Sequence, residues 1–596
     1  MDRAEIATAL ENARAALLAE RTPDGHWEGE LSTSALSTAT AVVALGSVDS
    51  GKHAEFVEGG VSWLAENQNF DGGWGDTVKS DSNISTSLLA WSALSKFGPE
   101  KRDAIHRAEN WIRSYVGSLD PQKIAETVKA RYGKDRTFSV PILMLCAICG
   151  RLGKNGWRLV PQFPFELSLF PREWFAILRL PVVSYALPAL IAIGYGKLQN
   201  SRGISPIRLF RNWAWKWRAS SLLREIQPAS GGFLEAAPLT SFVTMALANA
   251  GQKHHPVAEK GVQFLTENVR PDGSWPIDTN LATWVTTLAV KALATNQQGL
   301  FAKPTLLDRK SELLDWLVNQ QYRDFHPFTN SPPGGWAWTD LSGGVPDADD
   351  TPGTLLALKI LDPTRKSEAE MAIRWLFHLQ NRDGGMPTFC RGWGALPFDR
   401  SSADLTAHAI RAWLAWRSDI PDSMQAEIDS GIEKGLRFLA RTQNRDGSWT
   451  PLWFGNQHLK RDEENPTYGT SMVLRALHEV GTETAQMLAA DAIDWLYRSQ
   501  NLDGGWGGGS GTPSSIEETA LAISALCHAG EFGESIDAGV RWLIDSTNNG
   551  SDFPATPIGF YFAKLWYFER LYPLVWAVEA LGKALQSSAE SSRPLS

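Results

Sequence analysis

Gln443–Trp449 reads QNRDGSW, and the chain returns to this turn repeatedly. QNFDGGW stands at Gln68–Trp74, QNRDGGM at Gln380–Met386 and QNLDGGW at Gln500–Trp506. PDGHW at Pro23–Trp27 and PDGSW at Pro271–Trp275 keep its second half, and GGF at Gly231–Phe233 and GGW at Gly334–Trp336 keep less. Asp-Gly and Gly-Gly pairs make tight turns. Upstream of the turns lie segments such as VEGGVSWLAENQ and AADAIDWLYRSQ, apolar at i, i+3, i+4 and i+7, which predicts helices with one wet face. Downstream lie TSLLAWSAL, GTSMVLRAL and ETALAISAL, apolar all round, which predicts buried helices. The clear turns at Gln380, Gln443 and Gln500 recur at a period of roughly 60 residues. Outer helix, turn and inner helix, repeated about six times, close into a double-ring barrel. The expected class is therefore all-α, with two α/α toroids (α6/α6 barrels), because 596 residues exceed what one core holds.

Apolar residues make up 43% and charged residues 21%, with a formal charge of −9, so nothing favours a nucleic-acid partner. Four cysteines are too few for a disulfide framework. Cys146 and Cys149 form a C-x-x-C inside an apolar run, which reads as core packing, with redox or metal chemistry as the lesser alternative. The first 25 residues are amphipathic and charged without an apolar signal core, which predicts a cytoplasmic chain. The 26 tryptophans are more than a core needs and point to a structural repeat, an aromatic-lined cavity, or both.

PGGWAWTDLSGGVPDADDTPGTLLALKIL holds the sharpest local feature: Asp347, Asp349 and Asp350, just ahead of an inner helix. Three carboxylates in four residues repel, and burial adds to the effect, so at least one is expected to hold a proton at neutral pH. Such an acid is what protonation of an alkene requires, since an isolated olefin is a very poor base. A helix-capping Asp in a wet loop, or a divalent metal site, explains the same residues equally well. The next repeat shifts the balance. SSADLTAHAIRAW places Asp404 and His408 at i and i+4, at the same position in their repeat as the Asp cluster in its own. Repeat geometry then sets them at the same mouth of the barrel, one helix along.

These motifs resemble squalene-hopene and oxidosqualene cyclases, the class II terpene cyclases. The turn is similar to their QW repeat, D-A-D-D at Asp347–Asp350 to their D-x-D-D, and ADLTAHA to the segment whose His meets the central Asp. The resemblance runs from about Trp27 to the C-terminal PIGFYFAKLWYFERLYPLVWAVEALGKAL. It implies Asp349 as proton donor, Asp347 and Asp350 tuning and orienting it, and His408 activating it with Asp404 behind. Aromatic faces stabilise a passing cation by roughly 0.5–2 kcal/mol each without reacting with it. Trp336, Trp338, Trp284, Trp453, Tyr185, Tyr468, Tyr561 and Phe562 are the lining residues that position and resemblance suggest. Trp27, Trp74, Trp449 and Trp506 belong to the turns and are expected to be structural. No metal or other cofactor is implied, since no D-D-x-x-D paired with an N-S-E motif stands out.

Departures from the family pattern reshape the pocket. Thr38 and Thr40 occupy a region where a Glu is usual, Arg391, Trp393 and Arg400 lie in a lengthened basic stretch, Gln457–Thr467 is inserted, and Lys564 and Leu565 replace small and aromatic residues. The expected substrate is an apolar polyprenyl chain such as squalene, giving a hopene-like triterpenoid; drimane, diterpenoid or meroterpenoid cyclisation is the alternative. A protein-prenyltransferase-like toroid would need a zinc site, to which only Cys390 and His408 come close, and a non-catalytic toroid could have kept the repeats alone. The uncharged run Leu180–Gly196 and the aromatic, basic IRLFRNWAWKWR after it predict a membrane-facing segment near residues 160–218. The chain would then sit as a peripheral, monotopic protein on the cytoplasmic side of the inner membrane, with a homodimer as a further expectation. The expected domains are 19–298, and 299–585 with helix 1–18, the second bearing the acids.

Overall fold

A computed structural model describes the chain except residues 1, 134–135, 171–186, 202, 204, 296–308, 328, 390–396, 460–461, 560–563 and 591–596. It is helical throughout, with strand limited to Thr33–Ser34 paired antiparallel with Trp275–Pro276.

Each residue of the recurring turn has one mechanical task. The Gln side chain donates twice, to the Gly carbonyl four residues on and to the next outer helix: Gln443 Nε2 reaches Gly447 O at 3.0 Å and Leu488 O at 3.1 Å. Gln500 does the same to Gly504 O at 2.7 Å and Ser535 O at 2.8 Å. The Asp carboxylate accepts the N–H two residues ahead, as in Asp446 with Ser448. The first Gly has φ between 91° and 97° at Gly72, Gly384, Gly447 and Gly504, a region that L side chains rarely adopt. The Trp indole donates back to a Leu carbonyl of the preceding outer helix, 2.8 Å from Trp74 to Leu64 and 2.9 Å from Trp449 to Leu439. Its backbone N–H donates to a hydroxyl in the first turns of an inner helix, as from Trp449 to Thr470 and from Trp506 to Thr519. Turn, outer helix and inner helix are thus locked together by side chains that the sequence repeats.

The helices divide by burial as their patterns require. Ala54–Glu66 buries Val57, Gly60, Val61, Trp63 and Leu64, one side of the helix, whereas Ile516–His528 is buried from Ile516 to Cys527 on every side. Six inner helices pack in a closed ring: Ala282–Leu293, Asp350–Leu361, Ala403–Trp416, Pro466–Val480, Ile516–His528 and Tyr572–Glu590. Around them lie Lys310–Asn319, Lys366–Leu379, Asp422–Thr442, Glu483–Ser499, Glu534–Ser546 and, from the far end of the sequence, Arg3–Ala19. Trp27 ties that first helix in, its N–H donating to Thr286 and its indole to Leu17. The other toroid has an inner ring of five described helices: Ala35–Asp49, Ile84–Phe97, Arg136–Ile148, Leu187–Asn200 and Ala237–Asn249. Its last turn closes on its first helix, Trp275 N–H donating to Thr38.

The two buried clusters follow the rings. One runs from Ala35 to Trp275, joined by Val345 and Phe389; the other holds Ile6 to Leu31 and then Ile277 to Leu585. The change of core therefore falls near residue 276, ahead of the 298 read from the sequence, because Ala282–Leu293 serves the second ring. Cys146 and Cys149 are buried thiols whose pKa burial pushes up to about 11 and about 12, as core packing requires. The described part of the uncharged run, from Leu187, is an inner helix with Ile191, Ala192 and Ile193 fully buried. The exposed apolar surface lies just beyond it, at Ile207, Leu209, Phe210, Trp213 and Trp217. No described helix is long and apolar enough to cross a membrane.

Candidate active site

Asp347 shapes the acidic turn. Its Oδ1 accepts the N–H groups of Asp349 at 2.8 Å and Asp350 at 2.7 Å, while its own N–H donates to Trp336 O at 3.0 Å. The helix Asp350–Leu361 starts from that capped turn, with Asp349 at its edge. The neighbouring inner helix, Ala403–Trp416, carries His408, whose Nδ1 lies 2.7 Å from Asp349 Oδ1. The starts of two successive inner helices thus meet across one helix–helix contact, His408 lying one turn further into its helix than Asp404, the repeat equivalent of Asp349. His408 is fully buried, and Asp349, 15% of whose side chain is accessible, lines a cavity. The Asp404 carboxylate, one turn before His408 on the same helix, accepts from the Ser402 hydroxyl and from Leu452 N–H.

Burial dominates the electrostatics. It raises Asp349 from 3.8 to about 7, against the pull of the Lys291 ammonium. Asp347 is likewise raised to about 7, although the two N–H groups it accepts oppose the shift. Asp350 is raised well above the ordinary range by burial and then by its two acidic neighbours; its Oδ1 is buried without a hydrogen-bond partner. Asp404 is raised to about 6 by burial. His408 moves the other way, held well below its usual value by burial and then by Lys291, Arg411 and Arg475. Near pH 7 the site therefore holds carboxyl groups that burial keeps partly protonated, beside a neutral imidazole.

The cavity, of about 270 Å³, is lined by both toroids. Leu36, Leu89, Phe138 and Phe242 come from the first, and Trp284, Trp338, Trp453 and the three acids from the second. Three of the eight expected aromatics thus line it. Trp336 does not: its indole donates to Leu317 O at 2.7 Å, making it a turn tryptophan like the others. Tyr468 stands one layer back, its ring 4.3 Å from that of Phe454, which does face the cavity. Tyr185, Tyr561 and Phe562, with Cys390, Arg391 and Trp393, lie outside the described residues. Among the described residues no group of three metal-ligating side chains is found, and His408 is engaged by Asp349.

Several lining residues escaped the sequence reading. Phe389 and Phe398 pack with tilted rings, their centres 4.9 Å apart, between Trp338 and Trp453, forming an aromatic wall beside the acids. Tyr567 and Tyr572 add to it from the C-terminal segment. Asp278 lines the same space, its carboxyl raised well above the ordinary value by burial and then by Glu235. Lys291, behind His408, belongs to an apolar run in which one cation gave no signal.

Residues 281–586 match the squalene-hopene cyclase C-terminal domain and residues 10–193 its N-terminal domain. A probable squalene–hopene cyclase of Sinorhizobium fredii is 24% identical over 97% of this chain and 97% of its own length. Enfumafungin synthase of Hormonema carpetanum is 25% identical over 91% of this chain, which spans only 45% of that longer protein. In fold, ent-copalyl diphosphate synthase of Streptomyces platensis superposes with a TM-score of 0.56 over 98% of this chain and 99% of its own, at 18% identity. With both domains matched in order and the second covering more than half of its length, the chain belongs to the squalene-hopene cyclase family of class II terpene cyclases.

Proposed function

We propose that Asp349 protonates the terminal double bond of a linear polyprenyl substrate such as squalene, and that the cavity folds the resulting cation into a polycyclic, hopene-like triterpenoid. The observation that carries this reading is a carboxylic acid at the cavity wall whose pKa burial raises to about 7, in hydrogen-bond contact with a buried neutral histidine. The alkene π electrons take the acid hydrogen, a tertiary cation forms, and each following double bond attacks it to close a C–C bond. Loss of a proton or capture of water ends the sequence. Asp349 is left as a carboxylate beside His408 and must be reprotonated. Asp347 and Asp350 fix and isolate the donor, and Trp284, Trp338 and Trp453 offer π faces to the moving charge. Incubation with squalene, and with Asp349→Asn as control, tests the reading by mass spectrometry of the products. No cyclised product from the wild-type enzyme with any prenyl chain would end it.

A second reading concerns the substrate alone. Lys564 and Asp278 both line the cavity, which is unexpected where only hydrocarbon must fit. Lys564 also lies 3.0 Å from Glu463. Two ionisable groups in that wall favour a substrate with a polar end, as in drimane, diterpenoid or meroterpenoid cyclisation. Parallel assays of squalene and of shorter prenyl chains with polar heads distinguish the two.

We also propose peripheral membrane contact through Ile207, Leu209, Phe210, Trp213 and Trp217. They form an exposed apolar surface beside Arg208 and Lys216.

A further inference from the structure

Behind His408 stands a lysine. Lys291 lies on Ala282–Leu293 two turns beyond Trp284, and its Nζ is 5.6 Å from the centre of the Trp284 ring. The same Nζ is 3.5 Å from His408 Nε2, while His408 Nδ1 is 2.7 Å from Asp349 Oδ1. The imidazole has no exposed surface, so protein groups alone face its two nitrogens, one on each side.

An ammonium has three N–H donors and no lone pair to accept with. Facing it, Nε2 must be the acceptor. A neutral imidazole carries a single hydrogen, which therefore sits on Nδ1 and is donated to Asp349 Oδ1. His408 is neutral because burial, then the charges of Lys291, Arg411 and Arg475, oppose its protonation. With Oδ1 accepting, the acid hydrogen of Asp349 belongs on Oδ2, where an alkene can take it. In the other tautomer Nδ1 would accept, and the acid hydrogen would be held on Oδ1 against the ring.

We infer that Lys291 is a positioning residue: it fixes His408 as the Nδ1–H tautomer and so keeps the transferable hydrogen of Asp349 on the oxygen that His408 does not engage. The inference rests on Asp349 being the proton donor. The surroundings allow Lys291 this role. Glu579 and Asp349 favour its charge, Arg411 and Arg475 oppose it, and burial lowers its pKa to about 8, leaving it an ammonium at neutral pH. Glu579 is itself held ionised, its two oxygens 3.0 and 3.2 Å from Arg475.

The test is the nitrogen spectrum of the full-length enzyme labelled with 15N-histidine, His408 being assigned by the signals lost in His408→Gln. The expected result at pH 7 is a protonated Nδ1 and an acceptor Nε2. In Lys291→Met the tautomer should move toward Nε2–H. Its kcat should fall roughly 10- to 100-fold, the usual effect of losing a group that orients a reacting one, with KM little changed. The alkaline limb of its pH profile should move upward, because the ammonium that lowers Asp349 is gone. Lys291→Arg, which keeps a cationic donor, should restore the tautomer and most of kcat; loss of packing alone predicts neither the spectral change nor the shifted limb. A wild-type Nε2–H tautomer overturns the inference, and so does a Lys291→Met enzyme with unchanged spectrum and kcat. The wild-type spectrum decides the point even if Lys291→Met does not fold. Because that spectrum needs no turnover, it stands apart from a failure of the donor assignment, which would show as an active Asp349→Asn enzyme.

Discussion

Asp349→Asn separates the chemistry from the fold. The side chain keeps its size and an oxygen for His408 but has no acid hydrogen. General acids contribute about 10²–10⁴-fold, or about 3–5 kcal/mol of barrier, and turnover should fall by that factor. Stability should move the other way. Burial raises Asp349 from 3.8 to about 7, and about 1.4 kcal/mol per unit makes this on the order of 4 kcal/mol. The unfolded chain ionises near the lower value while the folded chain holds its proton to the higher one. Between them the folded state binds more protons, so wild-type stability falls as pH rises, and the full cost is present above about 7. Asparagine cannot ionise and escapes that cost. Denaturant melts of both proteins at pH 5, 6, 7 and 8 should show the variant equal to or more stable than wild type at pH 8, with the gap narrowing toward pH 5. Product formation is followed in parallel by gas chromatography. A variant with more than about a tenth of wild-type turnover, against the 10² minimum expected, would refute the donor role. A variant clearly less stable than wild type at pH 8 would refute the claim that this carboxylate is buried at a cost.

Wild-type turnover should decline as pH rises through about 7, where Asp349 loses its proton, and a profile flat from pH 6 to 9 would contradict the assignment. Trp284→Ala removes one aromatic face worth about 0.5–2 kcal/mol, so kcat should drop about 2- to 30-fold while Trp284→Phe keeps most of it. Gln443→Ala deletes two hydrogen bonds to backbone carbonyls and should cost about 1–3 kcal/mol in a denaturant melt. Its kcat below the melting range should stay unchanged, since the turn lies outside the cavity wall. Trp213→Ser with Trp217→Ser removes two exposed, stacked indoles and should lower co-sedimentation with anionic vesicles; equal binding would count against membrane contact there.

The repeat was legible because Gln, Asp, Gly and Trp each meet a local requirement that other residue types meet poorly. The acid–histidine pair was legible because the starts of successive inner helices become neighbours in a ring, and Asp349 and His408 both lie within two residues of such an anchored start. Trp336 was misassigned to the cavity although GGW marked it as a turn residue. Its turn is the same one with an insertion: Gln321 Nε2 donates to Gly334 O and Glu368 O, as Gln443 does to its own partners. Chain inserted between the Gln and the Gly hid the match. The run ending at Gly196 was ambiguous because an inner helix buried on all sides and a membrane-facing segment have the same apolar composition. Lys291 gave no sign because a cation in TTLAVKAL reads as the wet point of a helix. Arg411, Arg475, Glu579 and His408 come from three other helices, and only ring closure brings them to it.

The position of the acid follows from how the repeats are fastened. Each turn grips an inner helix by a hydroxyl near its start: Thr38, Ser87, Thr240, Thr286, Thr351, Thr406, Thr470 and Thr519 all receive the N–H of a turn residue. The fastening holds even where the tryptophan has become Phe233 or Met386, because it uses the backbone N–H. The starts of these eight inner helices are therefore fastened to the turns. Asp349 sits two residues before one such hydroxyl, Thr351, and His408 two residues after another, Thr406. The 2.7 Å contact between them is thus set by two turns that lie away from the cavity. If Asp349 is the donor proposed above, its place beside His408 is fixed by turns that the cavity lining does not include.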